Sequence, residues 1–158
     1  MRWIWIDRFT DFQPGKSATA IKNVSLAEEH LHDHWSAYPV MPASLMIEGM
    51  AQTGGILVGH ARDFREKVIL AKITRAEFDG LVVPGDQLRY HAEIEQISDG
   101  AASIRGTVYC NDRPMGRIEM MFSHIDQNLS GRAFPKDNFV FSDQFRQLLA
   151  PFTPERRA

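Results

Sequence analysis

The segment HWSAYPVMPASLMIEGMAQ, residues 34–52, contains the two side chains that an acid/base reaction requires. His34 precedes a stretch that Pro39 and Pro42 stiffen, and Glu48 follows the histidine in a segment of helical character. An imidazole exchanges protons near neutral pH because its unperturbed pKa is about 6.5. A carboxyl group can donate or accept a proton in the same reaction. These residue types and their spacing predict general acid/base catalysis by His34 and Glu48.

A helix is predicted from about Ala43 to Ala61, directly after the histidine loop. Pro42 suits the first turn of a helix, because the N–H that proline lacks would have no partner there. Glycines lower the helix propensity by up to about 1 kcal/mol each relative to alanine. A helix that tolerates them is expected to be buried, with other backbone approaching closely. The glycines are Gly49, Gly54, Gly55 and Gly59.

The predicted helix would position several groups for chemistry. Gln52 lies one turn after Glu48 on the same face. The first-turn N–H groups of Ala43 and Ser44 point out of the helix N-terminus, where the helix dipole favours negative charge. They are therefore candidates for binding an anionic oxygen. Because Pro42 already suits a helix start, we expect Ala43 to adopt a helical conformation, and its N–H to matter more than its side chain.

Alternating apolar residues predict three long strands after the helix. Turns at Ser98-Asp99-Gly100 and at residues 111–114 would separate these strands. Two earlier runs, Trp3–Phe12 and Lys16–Val24, flank Gln13-Pro14-Gly15 and predict a hairpin. The pattern indicates an α+β fold, in which one helix packs against a single antiparallel sheet. The alternating positions are Leu88, Tyr90, Ala92, Ile94, Ile104, Gly106, Val108, Cys110, Ile118, Met120 and Phe122.

The bulk composition excludes several classes of protein. The 158 residues suit one domain, and a net charge of −2 argues against a general nucleic-acid binder. No apolar run reaches the roughly 18 residues of a membrane span, and no secretion signal is expected. The single cysteine, Cys110, excludes an internal disulfide and suits a reducing cytoplasm.

A change in composition predicts a folded domain over residues 1–127 and a C-terminal extension over residues 128–158. Ser130-Gly131-Arg132 and Phe134-Pro135 are typical of a linker. The stretch from Ser142 to Leu149 predicts a short amphipathic helix that the Ser142 side chain would cap.

The histidine-to-glutamine segment resembles the signature of the 3-hydroxyacyl-[acyl-carrier-protein] dehydratases of the FabZ/FabA type, roughly H-F-P-x-x-P-V-M-P-G-x-L-x-x-E-A-x-A-Q. The resemblance covers roughly Trp5 to His124 and includes WIDRFTDFQPGKSATAIKNVS and AKITRAEFDGLVVPGDQL. Glu48 stands where the FabA branch has aspartate, which favours the FabZ branch. Trp35 and Ser36 replace the usual Phe and Pro, and Ala43 replaces a glycine.

The resemblance implies a hotdog fold, in which an antiparallel sheet wraps around a long central helix. It also implies dehydration of 3-hydroxyacyl-ACP thioesters to trans-2-enoyl-ACP in fatty-acid or related lipid biosynthesis. His34 would take the C2 proton, Glu48 would assist departure of the C3 hydroxyl, and the N–H groups of Ala43 and Ser44 would bind the thioester oxygen. Neither a cofactor nor a metal is expected. The supporting residues would be Val40 and Gln52.

The family likeness further implies the partners. One is an acyl carrier protein with a phosphopantetheine-linked acyl chain, and the other is a second copy of the chain. In a hotdog dimer the central helices lie side by side, so His34 and Glu48 of one site would come from different subunits. Dimers of this family commonly associate into hexamers. Neither nucleic acid nor a membrane is expected as a partner.

Other interpretations of the same residues stay open. A hotdog thioesterase would use the helix carboxylate to activate water but would not need His34, and an inactive acyl-ACP-binding subunit would need neither group. Alternate histidines on one strand face could bind metal, but further ligands are not apparent, so His30 and His32 are expected to be solvated or hydrogen-bonded. The residues expected simply to fill core or interface are Trp3, Trp5, His60, His91 and His124.

Overall fold

The computed structural model describes residues 3–35, 37–127, 131, 135 and 140–152, so Ser36 and most of the predicted linker lie outside the described residues. Two short 3-10 turns occupy Ile125–Gln127 and Ala150–Phe152. The helices are α1 (His30–Asp33), α2 (Ala43–His60) and α3 (Asp143–Gln147), and the strands are β1 (Arg8–Gln13), β2 (Ser17–Asn23), β3 (Val68–Phe78), β4 (Gln87–Ile97), β5 (Ala101–Cys110) and β6 (Arg113–His124).

The six strands form one sheet in the order β1-β2-β4-β5-β6-β3. Every neighbouring pair is antiparallel. Helix α2 packs against this sheet, in contact with the strands from β2 to β6, and most of its residues after Met46 are buried. The predicted α+β hotdog architecture is therefore confirmed. Within the described residues, no helix is both long and apolar enough to cross a membrane.

The alternation predicted for the three long strands is confirmed, because side chains at every second position face α2. Leu88, Ile104 and Ile118 are fully buried. The turn after β5 is shorter than predicted. Asn111 and Asp112 adopt φ of 48° and 64°, and two such residues in succession close a two-residue hairpin. Strand β6 therefore begins already at residue 113.

The predicted N-terminal hairpin exists, but its first strand is shorter than Trp3–Phe12. Strand β1 begins at Arg8, and the preceding residues run across α2 instead. There the Trp5 N–H donates to the Gln52 side-chain oxygen over 2.7 Å. The Trp5 N–H thus bonds to a side chain and not to a neighbouring strand. The alternation of apolar residues alone could not predict this.

The glycines of α2 allow side chains to pack closely against the helix. The expectation that another backbone approaches the helix at these positions is wrong. A Cβ on Gly49 would lie 2.6 Å from Tyr90 Cζ, and a Cβ on Gly59 would lie 2.3 Å from Phe141 Cζ. Tyr90 is itself completely buried. The glycines therefore let large rings of the sheet and of the C-terminal segment lie directly on the helix backbone.

Two local predictions differ from the structure. The histidine run forms the single-turn helix α1, so His30 and His32 do not share a strand face. Ser142 precedes α3 as predicted, but its side chain makes no capping hydrogen bond. The C-terminal segment nevertheless joins the core, because Phe141 and Leu149 are buried among residues of the main sheet and helix.

Candidate active site

Glu48 lies in the first half of α2, half-buried, with one carboxylate oxygen held by two donors. Its Oε1 accepts a hydrogen bond from Gln52 Nε2 over 2.9 Å and another from Trp3 Nε1 over 3.1 Å. Among the described residues, no donor bonds to the other oxygen, Oε2. The protein thus orients the carboxylate through one oxygen and leaves the second available for another partner.

Gln52 joins α2 to the N-terminal segment, as its position one turn after Glu48 allows. The side chain is buried. Its Nε2 also donates to the Trp3 carbonyl over 3.1 Å, while its Oε1 accepts from the Trp5 N–H. All polar atoms of this amide are therefore used. Gln52 therefore holds both Glu48 and the N-terminal segment that crosses α2, and its role as a supporting residue stays a prediction.

Trp3 is a site residue that the sequence did not reveal. We expected both N-terminal tryptophans to fill core or interface, and Trp5 does so at 6% exposure, but Trp3 is 58% exposed. The two rings pack edge to face with centroids 5.6 Å apart. Trp5 therefore orients Trp3, whose indole N–H reaches Glu48. No spacing rule links residues 3 and 48, so only the tertiary fold could show the pair.

His34 follows α1, and its N–H donates to the His30 carbonyl over 3.2 Å. The imidazole is exposed and lies parallel to the Trp35 ring, with centroids 5.6 Å apart and planes 4° apart. It is not among the described residues that line the cavity beside Glu48. The sequence predicted that a loop stiffened by prolines would hold His34. In the structure His34 instead ends α1, and the loop with the prolines follows it.

A network of charges beneath α1 holds the segment that contains His34. The Lys22 ammonium, almost completely buried, forms ion pairs with Glu28 and Asp7. Glu28 also approaches the His30 ring. Burial lowers the pKa of His30, and Lys22 and His34 lower it further, whereas Glu28 opposes the shift. These surroundings disfavour the charged form of His30, whose ring lies edge-on to Trp5.

The N-terminus of α2 presents the predicted backbone donors. Ala43 is the first residue of the helix. Pro42 was predicted to lie in the first helical turn, but it precedes that turn in an extended conformation. Ala43 and Ser44 are exposed, and first-turn N–H groups have no intrahelical acceptor. The loop before them is fixed because Val40 is buried and the Met41 N–H donates to the Val82 carbonyl over 2.9 Å. The expected helical conformation of Ala43 is confirmed.

An apolar cavity of about 260 Å³ opens beside Glu48. One face of α2 forms its floor, from Glu48 through Gly55 to Ile56, and the start of β3 forms one wall. Gln52 and Trp3 lie with Glu48 at the polar end. The arrangement can hold an apolar chain beside an oriented carboxylate, which is the geometry that chemistry at the head of a fatty chain requires.

The remaining histidines have structural surroundings. His91 Nδ1 lies 2.9 Å from Thr19 Oγ1, and the fully buried His124 pairs with Glu66. His60 packs edge-on against Phe12. Among the described residues, no three His, Cys, Asp or Glu side chains are grouped so that they could hold a metal ion.

Comparison with known proteins agrees with this geometry. The model of the FabA-like domain matches residues 3–115. A 3-hydroxyacyl-[acyl-carrier-protein] dehydratase FabZ of Pelotomaculum thermopropionicum is 37% identical over 122 residues, which are 77% of this chain and 87% of the relative. The FabZ of Clostridium kluyveri is 35% identical over 127 residues, which are 80% and 88% of the two chains.

Solved structures support the fold alone. The dehydratase heterocomplex ApeI:P from Xenorhabdus doucetiae aligns with a TM-score of 0.61 at 15% identity, over 81% of this chain and 90% of that chain. A hypothetical thioesterase with coenzyme A from Streptococcus pneumoniae TIGR4 aligns with a TM-score of 0.60 at 8% identity, over 73% and 83%. From the family match and the identity to the FabZ proteins, the chain belongs to the FabZ-like 3-hydroxyacyl-[acyl-carrier-protein] dehydratase family.

Proposed function

We propose that this chain is a hydro-lyase that converts 3-hydroxyacyl-ACP to trans-2-enoyl-ACP in fatty-acid biosynthesis. The observation that supports it best is the Glu48 carboxylate, oriented by Gln52 and Trp3 at the polar end of an apolar cavity. An acyl chain would fill the cavity and bring its C3 hydroxyl to the carboxylate. The membership of the FabZ-like family agrees with this placement.

In this mechanism neutral His34 takes the proton from C2, and the electron pair of that C–H bond forms the C2–C3 double bond. The C3–O bond breaks, and protonated Glu48 delivers its proton through Oε2 to the departing hydroxyl, so that water leaves. The N–H groups of Ala43 and Ser44 stabilise the thioester oxygen as it gains negative charge. Proton exchange with solvent then returns His34 and Glu48 to their starting states.

The two catalytic side chains are proposed to come from different subunits of a homodimer. Glu48 lines the cavity, whereas His34 does not line it in its own chain. The edge strand β3 supplies a surface for association, because Ile69, Leu70 and Ile73 are exposed there. A second copy that covers this surface would bring its own His34 towards the cavity. Further association into hexamers would follow the habit of the family.

The acyl group would arrive on the phosphopantetheine arm of an acyl carrier protein, as the names of the relatives indicate for those proteins. Cytoplasmic location is proposed, since Cys110 is the only cysteine of the sequence and is free. The thioesterase alternative is not favoured, because the named relatives from three organisms, at 34–37% identity, carry the name of dehydratases.

Mass spectrometry of the products from a 3-hydroxyacyl-ACP tests the proposal. We expect the enoyl product, with a mass loss of one water; free acid would indicate a thioesterase, and unchanged substrate an inactive subunit. His34→Ala and Glu48→Gln should each lower turnover by at least about 10²-fold, since each removes a general acid or base. His32→Ala is the matched control, because His32 is an exposed histidine of α1 two residues before His34, and it should keep turnover.

Mixing the two inactive variants tests the shared site. A hybrid dimer of His34→Ala and Glu48→Gln subunits has one site with both substitutions and one with neither, so part of the activity should return. Subunit exchange is monitored independently with two affinity tags. Verified exchange without recovered activity would mean that each chain builds its own site.

A further inference from the structure

The C-terminal segment builds the end of the cavity that lies away from Glu48. Val140, Phe141 and Phe145 line the cavity together with the α2 face. None of these three residues lies in residues 3–115, which match the family model. This wall is therefore a feature of the present chain beyond the matched domain, attached to the distal half of the helix.

Phe141 is held firmly in place. Its exposed fraction is 5%, and its ring lies on Gly59, where any Cβ would collide with it. The Phe64 ring packs against Phe141 edge to face, with centroids 4.9 Å apart. Phe145, one turn further along in α3, is only half-buried. Phe141 thus forms a fixed support, and Phe145 lies on it as the more replaceable part of the wall.

Polarity changes along the cavity. Glu48 and Gln52 lie at one end, while Ile56 and the two phenylalanines form an apolar opposite end. An occupant with a reactive polar head and an alkyl tail fits this gradient. If the head reacts at Glu48, as the proposed function requires, the tail points to the phenylalanines.

The length of the cavity limits the tail. From Glu48 to Ile56 the helix advances by about 12 Å at 1.5 Å per residue. An extended acyl tail advances by about as much per bond as an extended polypeptide, which covers about 3.5 Å for every three backbone bonds. Roughly ten carbon–carbon bonds therefore fit between the reacting carbons and the wall, and longer tails would meet the aromatic rings.

We propose that Phe141 and Phe145 set the upper limit of acyl-chain length, so that the chain processes short and medium 3-hydroxyacyl groups in preference to long ones. This inference rests on the proposed function. Phe145 determines the specificity directly, because its ring would contact the end of the tail. Phe141 positions that ring and closes the remaining space against Gly59.

The test compares kcat/KM for 3-hydroxyoctanoyl-ACP and 3-hydroxyhexadecanoyl-ACP. For the unmodified protein we expect a preference of at least about 10-fold for the eight-carbon chain, which is the scale of discrimination by apolar pockets. Phe145→Ala should reduce that preference by about 10-fold, mainly through the long substrate. Phe145→Trp should increase it. The control is Phe152→Ala, since Phe152 is a half-buried ring of the same segment that packs on Phe12 outside the cavity.

The outcomes separate the two proposals. Equal kcat/KM for both substrates in the unmodified protein would refute the limit on chain length and leave the dehydratase proposal standing. An equal change in Phe145→Ala and Phe152→Ala would likewise refute it, because a general loosening of the segment would then explain the effect. No dehydration of either chain would refute the proposed function and the inference with it. Circular dichroism of each variant confirms folding, and Phe145→Leu replaces Phe145→Ala if that protein unfolds.

Discussion

At the scale of single residues, the two oxygens of the Glu48 side chain have different roles: one is held by the protein, and the other is free to react. Its Oε1 receives the indole N–H of Trp3 and the amide of Gln52. The two donors resist rotation of the side chain, because rotation would break both hydrogen bonds. The other oxygen of this cavity-lining side chain is thereby also held in a constant position, which a general acid needs if it is to meet the same hydroxyl at every turnover.

Ala43 permits a test of the backbone donors. Ala43→Pro removes one N–H at the first position of α2, where proline is sterically acceptable, so the helix should remain while turnover falls by about 10²-fold. Ala43→Gly keeps the N–H and should stay within a few-fold of the unmodified protein. Steady-state kinetics with one substrate measures both. Full activity in a folded Ala43→Pro protein would mean that the thioester oxygen is bound elsewhere.

The sequence predicted Glu48, Gln52 and Ala43 in their observed places because helical periodicity alone determines their relation. It did not predict Trp3 as a partner of Glu48, since the indole reaches the carboxylate only after the N-terminal segment crosses α2. The local sequence pattern thus explains the part of the site that lies within one helix. The hydrogen bonds between the N-terminal segment and α2 could be identified only in the folded structure.

At the scale of elements, α2 combines poor helix propensity with a close fit to the sheet. Tyr90 is completely buried beneath Gly49, whereas Gly55 has room, because a Cβ there would lie 3.4 Å from Phe122. The two glycines therefore have different reasons to be glycine. Gly49 makes space for a ring of the sheet, and Gly55 leaves width in the cavity.

Two matched substitutions separate these reasons. Gly49→Ala should lower the free energy of unfolding by about 1–3 kcal/mol, because the methyl group overpacks the Tyr90 ring. Gly55→Ala should leave that free energy unchanged or raise it by up to about 1 kcal/mol, since alanine favours the helix. Urea unfolding followed by circular dichroism measures both. Equal stability of the two variants would contradict the close contact at Gly49.

Helix α1 gives a pH dependence whose sign follows from His30. Burial lowers the pKa of its ring below the usual value. Glu28 raises the pKa in part, whereas the positive charges of Lys22 and His34 lower it further. Below about pH 6.5 the unfolded chain takes up this proton more readily than the folded protein. Stability should therefore fall as the pH drops from 6.5 towards the lowered pKa of His30.

Urea midpoints at pH 7.5 and at pH 5.5 measure this effect. His30→Phe keeps a ring against Trp5 but removes the proton, so its midpoint should fall less on acidification than that of the unmodified protein. Parallel pH profiles for both proteins would show that His30 does not titrate in this window. The sequence pattern predicted a strand for the histidines of this run, but residues 30–33 form a single helical turn, whose backbone groups bond locally, as the His34 N–H does to the His30 carbonyl.

At the scale of the whole molecule, the alternating strands were predictable because each lies with one face on α2 and the other towards solvent. β3 was harder to predict from alternation, because most of its residues are exposed in the single chain. The association of the C-terminal segment with Gly59 was also beyond prediction. It depends on a contact between Phe141 and a helix far away in sequence.

The outer edge of β3 has a consequence for handling the protein. In the described part of the chain β3 pairs with β6 alone, so its other side offers unpaired backbone groups beside Ile69, Leu70 and Ile73, which are exposed. Such an edge promotes aggregation unless another strand or chain covers it. If a second copy covers it, dilution uncovers it, and mass action makes stability depend on concentration. The thermal midpoint should therefore fall over a hundredfold dilution, and a midpoint independent of concentration would mean that the edge is protected within one chain.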